Sequence, residues 1–179
     1  MRKQILVIST SPRQGGNSDT LADAFVQGAR EAGHSVEKVS LADKTIGFCR
    51  GCLTCVKTRQ CVIHDDAAAI AQQMLTADVL VFATPIYYYG MCGQMKTLLD
   101  RANPLYSAAY RFREVYLLAA AAEAEQHTVD GAVTGLQGWI DCFEKARLAG
   151  TVFAGGVTSV GEIRGHAALE QAREMGKHV

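Results

Sequence analysis

Short apolar runs alternate along the chain with stretches whose apolar residues recur at helical spacing. Residues 4–9 carry Ile5, Leu6, Val7 and Ile8 in succession, which predicts a buried strand. Over 18–32, Leu21, Ala24, Phe25, Gly28 and Ala29 fall on one helical face, and Gly33 ends the pattern. Residues 35–41 alternate and predict a second, more exposed strand. An Ala-rich helix follows over 66–76, with Asp65 or Asp66 as its N-cap. The remaining elements are a buried strand at 79–84, a short helix at 94–102, a strand at 114–120, a helix over 129–146, a strand at 150–154 and a last helix over 166–177.

Strands that alternate with helices make a parallel sheet covered on both faces. Right-handed crossovers then restrict the topology. Five such strands fit an α/β, flavodoxin-like three-layer sandwich with strand order 2-1-3-4-5. Its ligand crevice lies outside the carboxyl ends of the strands, beside the first. No repeat or linker divides the chain, so residues 1–179 are expected to form one domain.

Composition narrows the function classes. Lys plus Arg and Asp plus Glu are both 18, so the formal charge is zero. A nucleic-acid binder would show a basic excess, and a flavodoxin-type electron carrier an acidic one. The longest uncharged run, 79–95, contains Pro85 and glycines and falls short of the roughly 20 apolar residues of a membrane helix. Residues 1–4 run directly into the first strand without a signal-peptide pattern. The expectation is a cytoplasmic protein with neither nucleic-acid nor membrane partners.

The first strand leads into Ser9-Thr10-Ser11-Pro12-Arg13-Gln14-Gly15-Gly16-Asn17-Ser18-Asp19-Thr20 and then a helix. A hydroxyl-rich glycine turn at a helix start offers backbone N–H groups to an anion, and the helix dipole favours negative charge there. Ser11, Asn17, Ser18 and Thr20 are candidate donors to phosphate oxygens, and Asp19 is a further candidate cofactor-binding residue of the loop. Arg13 adds a charge-assisted contact. A plain helix cap needs neither the Arg nor so many hydroxyls. The loop is not a Walker A, since it lacks the Gly-Lys-Ser/Thr ending, and it is not G-x-G-x-x-G.

The third strand leads into Thr84-Pro85-Ile86-Tyr87-Tyr88-Tyr89-Gly90-Met91. In the expected fold this turn neighbours the phosphate loop. It supplies the apolar and aromatic wall, and the backbone groups, that a planar isoalloxazine needs. Any one of these tyrosines could equally be a packing residue; the turn as a whole reads as ligand-binding.

Cys49, Cys52, Cys55 and Cys61 give C-x2-C-x2-C-x5-C, with Arg50, Lys57 and Arg59 nearby to offset thiolate charge. Compact spacing lets one loop wrap an iron–sulfur cluster with four thiolates. The residues leave open a 4Fe–4S cluster, zinc, a disulfide, or reduced thiols without metal. Cys92 and Cys142 read as small core residues; His34, His127, His166 and His178 match no metal spacing, and His64, near the cysteines, is given no ligand role. No nucleophile–base pair stands out, which argues against a hydrolase.

The strand followed by S-P-R-x-x-G-N-S, then A-D-x-L-V-F-A-T-P-I-Y, then M-K-T-L-L-D-R resembles the NADPH-dependent FMN reductase superfamily, which includes the iron–sulfur flavoproteins. The likeness runs from Ile5 to about Lys177 and is strongest at 11–18 and 78–101. It implies that Ser11, Arg13, Asn17, Ser18 and Thr20 hold the FMN phosphate and that Pro85, Ile86, Tyr87, Tyr88, Tyr89 and Gly90 flank the isoalloxazine. It also implies a third contact after the fourth strand, at Ala120 and Ala121. Relatives often carry glycines there, whereas this chain has Ala119-Ala120-Ala121-Ala122-Glu123. The cysteine spacing resembles the 4Fe–4S motif of the iron–sulfur flavoproteins.

The resemblance implies an oxidoreductase in which FMN takes electrons from NAD(P)H and passes them to a flavin, a quinone or another small acceptor. The alternatives are an iron–sulfur flavoprotein fed by a ferredoxin-type donor, and a flavodoxin-like interaction module without enzymatic activity. Family likeness also implies a homodimer or dimer of dimers, with Tyr88, Tyr89 and residues 105–113 at the contact.

Overall fold

The computed structural model describes residues 1–179. Six strands are present: β1 (Gln4–Ser9), β2 (Ser35–Ser40), β3 (Val79–Tyr87), β4 (Gly90–Met91), β5 (Glu114–Ala120) and β6 (Arg147–Ala154). Six helices connect them: α1 (Asn17–Glu31), α2 (Thr54–Thr58), α3 (Asp66–Thr76), α4 (Gly93–Arg101), α5 (Asp130–Ile140) and α6 (Ala167–Lys177), with 3₁₀ turns at Asn103–Ser107 and Gln126–Val129. None is long and apolar enough to cross a membrane.

The five long strands are parallel, in the order β2-β1-β3-β5-β6. That is the flavodoxin-like 2-1-3-4-5 path of the expected fold. The sixth strand is a correction to it: β4 is a two-residue hairpin arm antiparallel to the end of β3, pairing Ile86 with Met91 and Tyr87 with Gly90. Two residues are too few to show a period-2 pattern.

Both sheet faces are buried, which explains why the strands read as continuous apolar runs. Leu6, Ile8, Leu80, Phe82 and Leu117 pack under α3, α4 and α5. Ile5, Val7, Val81, Tyr116 and Leu118 pack under α1 and α6. The two helices of this second layer meet closely at Gly28, where any side chain would collide with the Arg173 carbonyl.

Several bounds were legible to the residue, including β1, α3 and β5. Asp65 is the α3 N-cap, accepting from the Ala67 amide at 3.1 Å. The helix expected over 129–146 is shorter: α5 stops at Ile140, and turns fill the rest. Cys142 therefore lies beyond the helix and is exposed, not a core residue. Cys92 is fully buried, with its sulfur donating to the Thr10 carbonyl at 3.3 Å.

Candidate active site

The carboxyl ends of β1, β3 and β5 deliver their loops to one cavity of about 140 Å³. Ser11, Arg13, Asn17 and Ser18 come from the first loop, Pro85, Ile86 and Tyr87 from the second, and Ala120, Ala121 and Ala122 from the third. The switch point between β1 and β3 puts the first two side by side.

The start of α1 is built to receive an anion. Its N-cap, Gly16, has no side chain to cap the helix, and within α1 the first amide with a backbone partner is that of Thr20, donating to Gly16 O at 2.9 Å. The amides of Asn17, Ser18 and Asp19 are orphan donors at the positive end of the helix dipole, whereas that of Gly16 is taken by Arg13 O at 3.1 Å. Ser18 Oγ is also buried without a hydrogen-bond partner at the cavity wall. An orphaned hydroxyl beside uncapped amides is the environment a phosphoryl group satisfies, so the residues fit the phosphate end of FMN.

The loop braces itself. Ser11 Oγ donates to Arg13 O at 2.8 Å and accepts from the Arg13 amide at 3.2 Å. Arg13 Nη2 donates to Thr158 O and Asn17 Nδ2 to Ser159 O, both at 3.1 Å. The Ile163 amide donates back to Asn17 Oδ1 at 3.3 Å. The segment between β6 and α6 thus forms a fourth wall, with Val157 and Thr158 lining the cavity. Sequence reasoning missed it; the only signal was Gly155-Gly156 directly after the last strand.

Other expected residues lie elsewhere. Asp19 does not line the cavity: its carboxylate accepts from the Gly15 amide at 3.0 Å and pairs with Lys38 Nζ at 2.8 Å. Thr20 Oγ1 donates back to Gly16 O at 3.1 Å, within the helix. Tyr88 and Tyr89 form the β3–β4 turn and Gly90 opens β4, all outside the cavity. Tyr88 and Tyr89 both adopt left-handed backbone, at φ 49° and 61°. Positive φ at both positions is the pattern of a type I′ two-residue hairpin, where Asn-Gly is the comfortable pair. The strain is held in place by packing: the Tyr89 ring stacks on His127 at 6.3 Å, and Gly131 of α5 lies so close to Tyr89 O that a side chain would collide. The Tyr88 ring is fully exposed.

A second cavity, of about 440 Å³, lies between the 49–63 segment, α4 and α5. Cys49, Cys52, Cys55 and Cys61 all line it, as does Cys142, against a wall formed by Tyr106, Trp139 and Phe143. Asn103 Nδ2 donates to Cys55 Sγ at 3.2 Å. Hydrogen bonds from Thr54, with help from Arg50, hold the Cys52 thiol below its usual range. The thiols share this space, yet no group of three or more His, Cys, Asp or Glu side chains is disposed to hold a single metal ion.

The family profile for NADPH-dependent FMN reductase matches residues 3–137. An iron-sulfur flavoprotein of Archaeoglobus fulgidus is 37% identical over 94 residues, 52% of this chain and 43% of that one. Another, from Methanocaldococcus jannaschii, is 37% identical over 102 residues, 57% of this chain and 53% of that one. The matched segment thus spans about half the length of these relatives. Among solved structures, the NAD(P)H:quinone oxidoreductase from Methanothermobacter marburgensis superposes with a TM-score of 0.76 at 18% identity, covering 99% of this chain and 96% of that one. That likeness is one of fold.

Proposed function

The chain belongs to the NADPH-dependent FMN reductase family, and on that premise we propose that it carries electrons from NAD(P)H through FMN to a small acceptor of the quinone or free-flavin class. The observation that carries this reading is the convergence of three strand-end loops on one cavity where Ser18 Oγ and the first amides of α1 have no partners. When bound, FMN supplies the redox chemistry, accepting a hydride and releasing electrons onward. The chain's own residues bind and orient. Ser18 Oγ and the first amides of α1 would hold the phosphate, and Arg13 would add charge if it left Thr158 O. Pro85, Ile86 and Tyr87 supply apolar surface. The cavity is smaller than the roughly 300–1,000 Å³ of whole-ligand pockets, so it would take only part of the cofactor.

The test is to load the apo protein with FMN and follow NADPH and NADH oxidation with a quinone. Ser18→Ala and Arg13→Ala should each weaken FMN binding about tenfold or more, the scale of one charge-assisted hydrogen bond. Unchanged affinity in both would remove the reading.

A second reading, as an iron–sulfur flavoprotein, is favoured by the four motif thiols around one cavity and by the names of the two relatives above. Anaerobic purification with iron and sulfide assays decides it. Iron that is lost in Cys55→Ser while FMN is retained supports a cluster; iron-free anaerobic protein rejects it. We also propose a homodimer or dimer of dimers that covers the exposed Tyr88 and Tyr89; residues 105–113, expected at the same contact, instead lead into the opposite, amino end of β5, where the Arg111 amide donates to Leu75 O and the Arg113 amide to Asp78 O. A monomer by light scattering after FMN loading would contradict it.

A further inference from the structure

Asp19 and Lys38 lie together at the phosphate loop, and neither lines the cavity. Asp19 Oδ2 accepts the Gly15 amide at 3.0 Å, which fixes the turn of the loop and removes that amide from the pool of ligand donors. A carboxylate in this place repels the anion that the loop is shaped to take. Lys38, from β2, answers that charge: its Nζ lies 2.8 Å from Asp19 Oδ1 and 2.6 Å from Asp23 Oδ1. The Asp19 side chain is 12% exposed and that of Lys38 21%, so solvent screens the pair only in part. Burial pushes the Asp19 carboxyl up, but Lys38, Ser9 and the Gly15 amide outweigh it and hold it below its usual range. The carboxylate is therefore charged, and an uncompensated charge there would act directly on an incoming dianion.

We propose that Asp19 and Lys38 are positioning residues of the phosphoryl site: the Asp19 carboxylate pins the Gly15 amide, and Lys38 cancels its charge so that the loop accepts a phosphate dianion. This rests on reading the cavity as the phosphoryl site. Sequence reasoning placed Asp19 with the ligand contacts and gave Lys38 no role, because only the β1–β2 pairing brings Lys38 to α1.

The test is titration of the apo protein with FMN and with riboflavin, which has the same ring and no phosphate. The unaltered protein should bind FMN at least tenfold more tightly than riboflavin. Lys38→Met should weaken FMN binding about tenfold and leave riboflavin within twofold, Lys38→Arg should restore FMN binding, and Asp19→Asn with Lys38→Met should recover most of the loss. Asp19→Asn alone keeps an acceptor for Gly15 and removes the charge, so it should hold or tighten FMN binding, and it serves if Lys38→Met does not fold. Lys38→Met binding FMN within twofold of the unaltered protein, losing riboflavin equally, or a tenfold FMN loss in Asp19→Asn would each overturn the proposal. Equal FMN and riboflavin affinity in the unaltered protein would overturn the phosphoryl reading itself.

Discussion

Arg101 and Asp65 meet in a two-pronged ion pair, Nη1 to Oδ2 at 2.7 Å and Nη2 to Oδ1 at 2.8 Å, with the arginine side chain wholly buried. The same guanidinium donates to Gly47 O at 2.7 Å and to Ile63 O at 3.1 Å. Those carbonyls flank the cysteine segment, so one side chain of α4 ties both its ends to the core. Removing one partner of a buried pair leaves the other uncompensated. Arg101→Met should therefore cost about 3 kcal/mol, read as a lower urea midpoint with little change in slope.

The same pair sets an acid limit. Burial pushes the Asp65 carboxyl up, but Arg101 and the Gly47 amide outweigh it, and its native pKa lies below the ordinary 3.8. A lowered native value means that the stabilisation is complete above 3.8 and is lost as pH falls through the native pKa. Asp78, held down by the Gln4 amide and Arg111 against its burial, acts in the same direction. Stability measured between pH 6 and pH 3 should hold to about pH 4 and then fall, and Asp65→Asn should flatten that fall.

The strained turn predicts a gain in stability at the expense of function. Tyr88 has left-handed backbone and a fully exposed ring, so the turn conformation costs about 1 kcal/mol that its own packing does not return. Tyr88→Gly should raise the thermal midpoint by roughly 2–4 °C for a chain of this size. On the proposal that this turn serves the flavin or a partner subunit, turnover or assembly should fall in the same variant.

Close helix packing gives a fourth test. At Gly28 an added methyl meets the Arg173 backbone, which cannot swing aside as a flexible side chain can. Gly28→Ala should cost about 1–3 kcal/mol, although Ala is the better helix former in isolation. A stabilised variant by calorimetry would contradict the α1–α6 contact.

The strands were legible because burial on both faces writes unbroken apolar runs such as Ile5–Ile8. The loop that opens onto the cavity stood out because hydroxyls, glycines and Arg13 crowd directly after the first of them. What stayed hidden depends on contacts distant in sequence. Thr158 and Ser159 reach Arg13 and Asn17 from more than a hundred residues away, and nothing local in either segment says so. Lys38 looked like the solvent side of an alternating strand. The early end of α5 was masked because Phe143 and Ala146 continue an apolar pattern after the helix has stopped, and Cys142 was misassigned with them.

Trp139 is the chain's single tryptophan, and it forms part of the wall of the thiol-lined cavity while packing edge-on to Phe82 and stacking on Phe112. The molecule thus contains its own optical gauge. On the iron–sulfur reading, a cluster bound in that space would quench indole emission, and its loss would restore it, without a dye or a label.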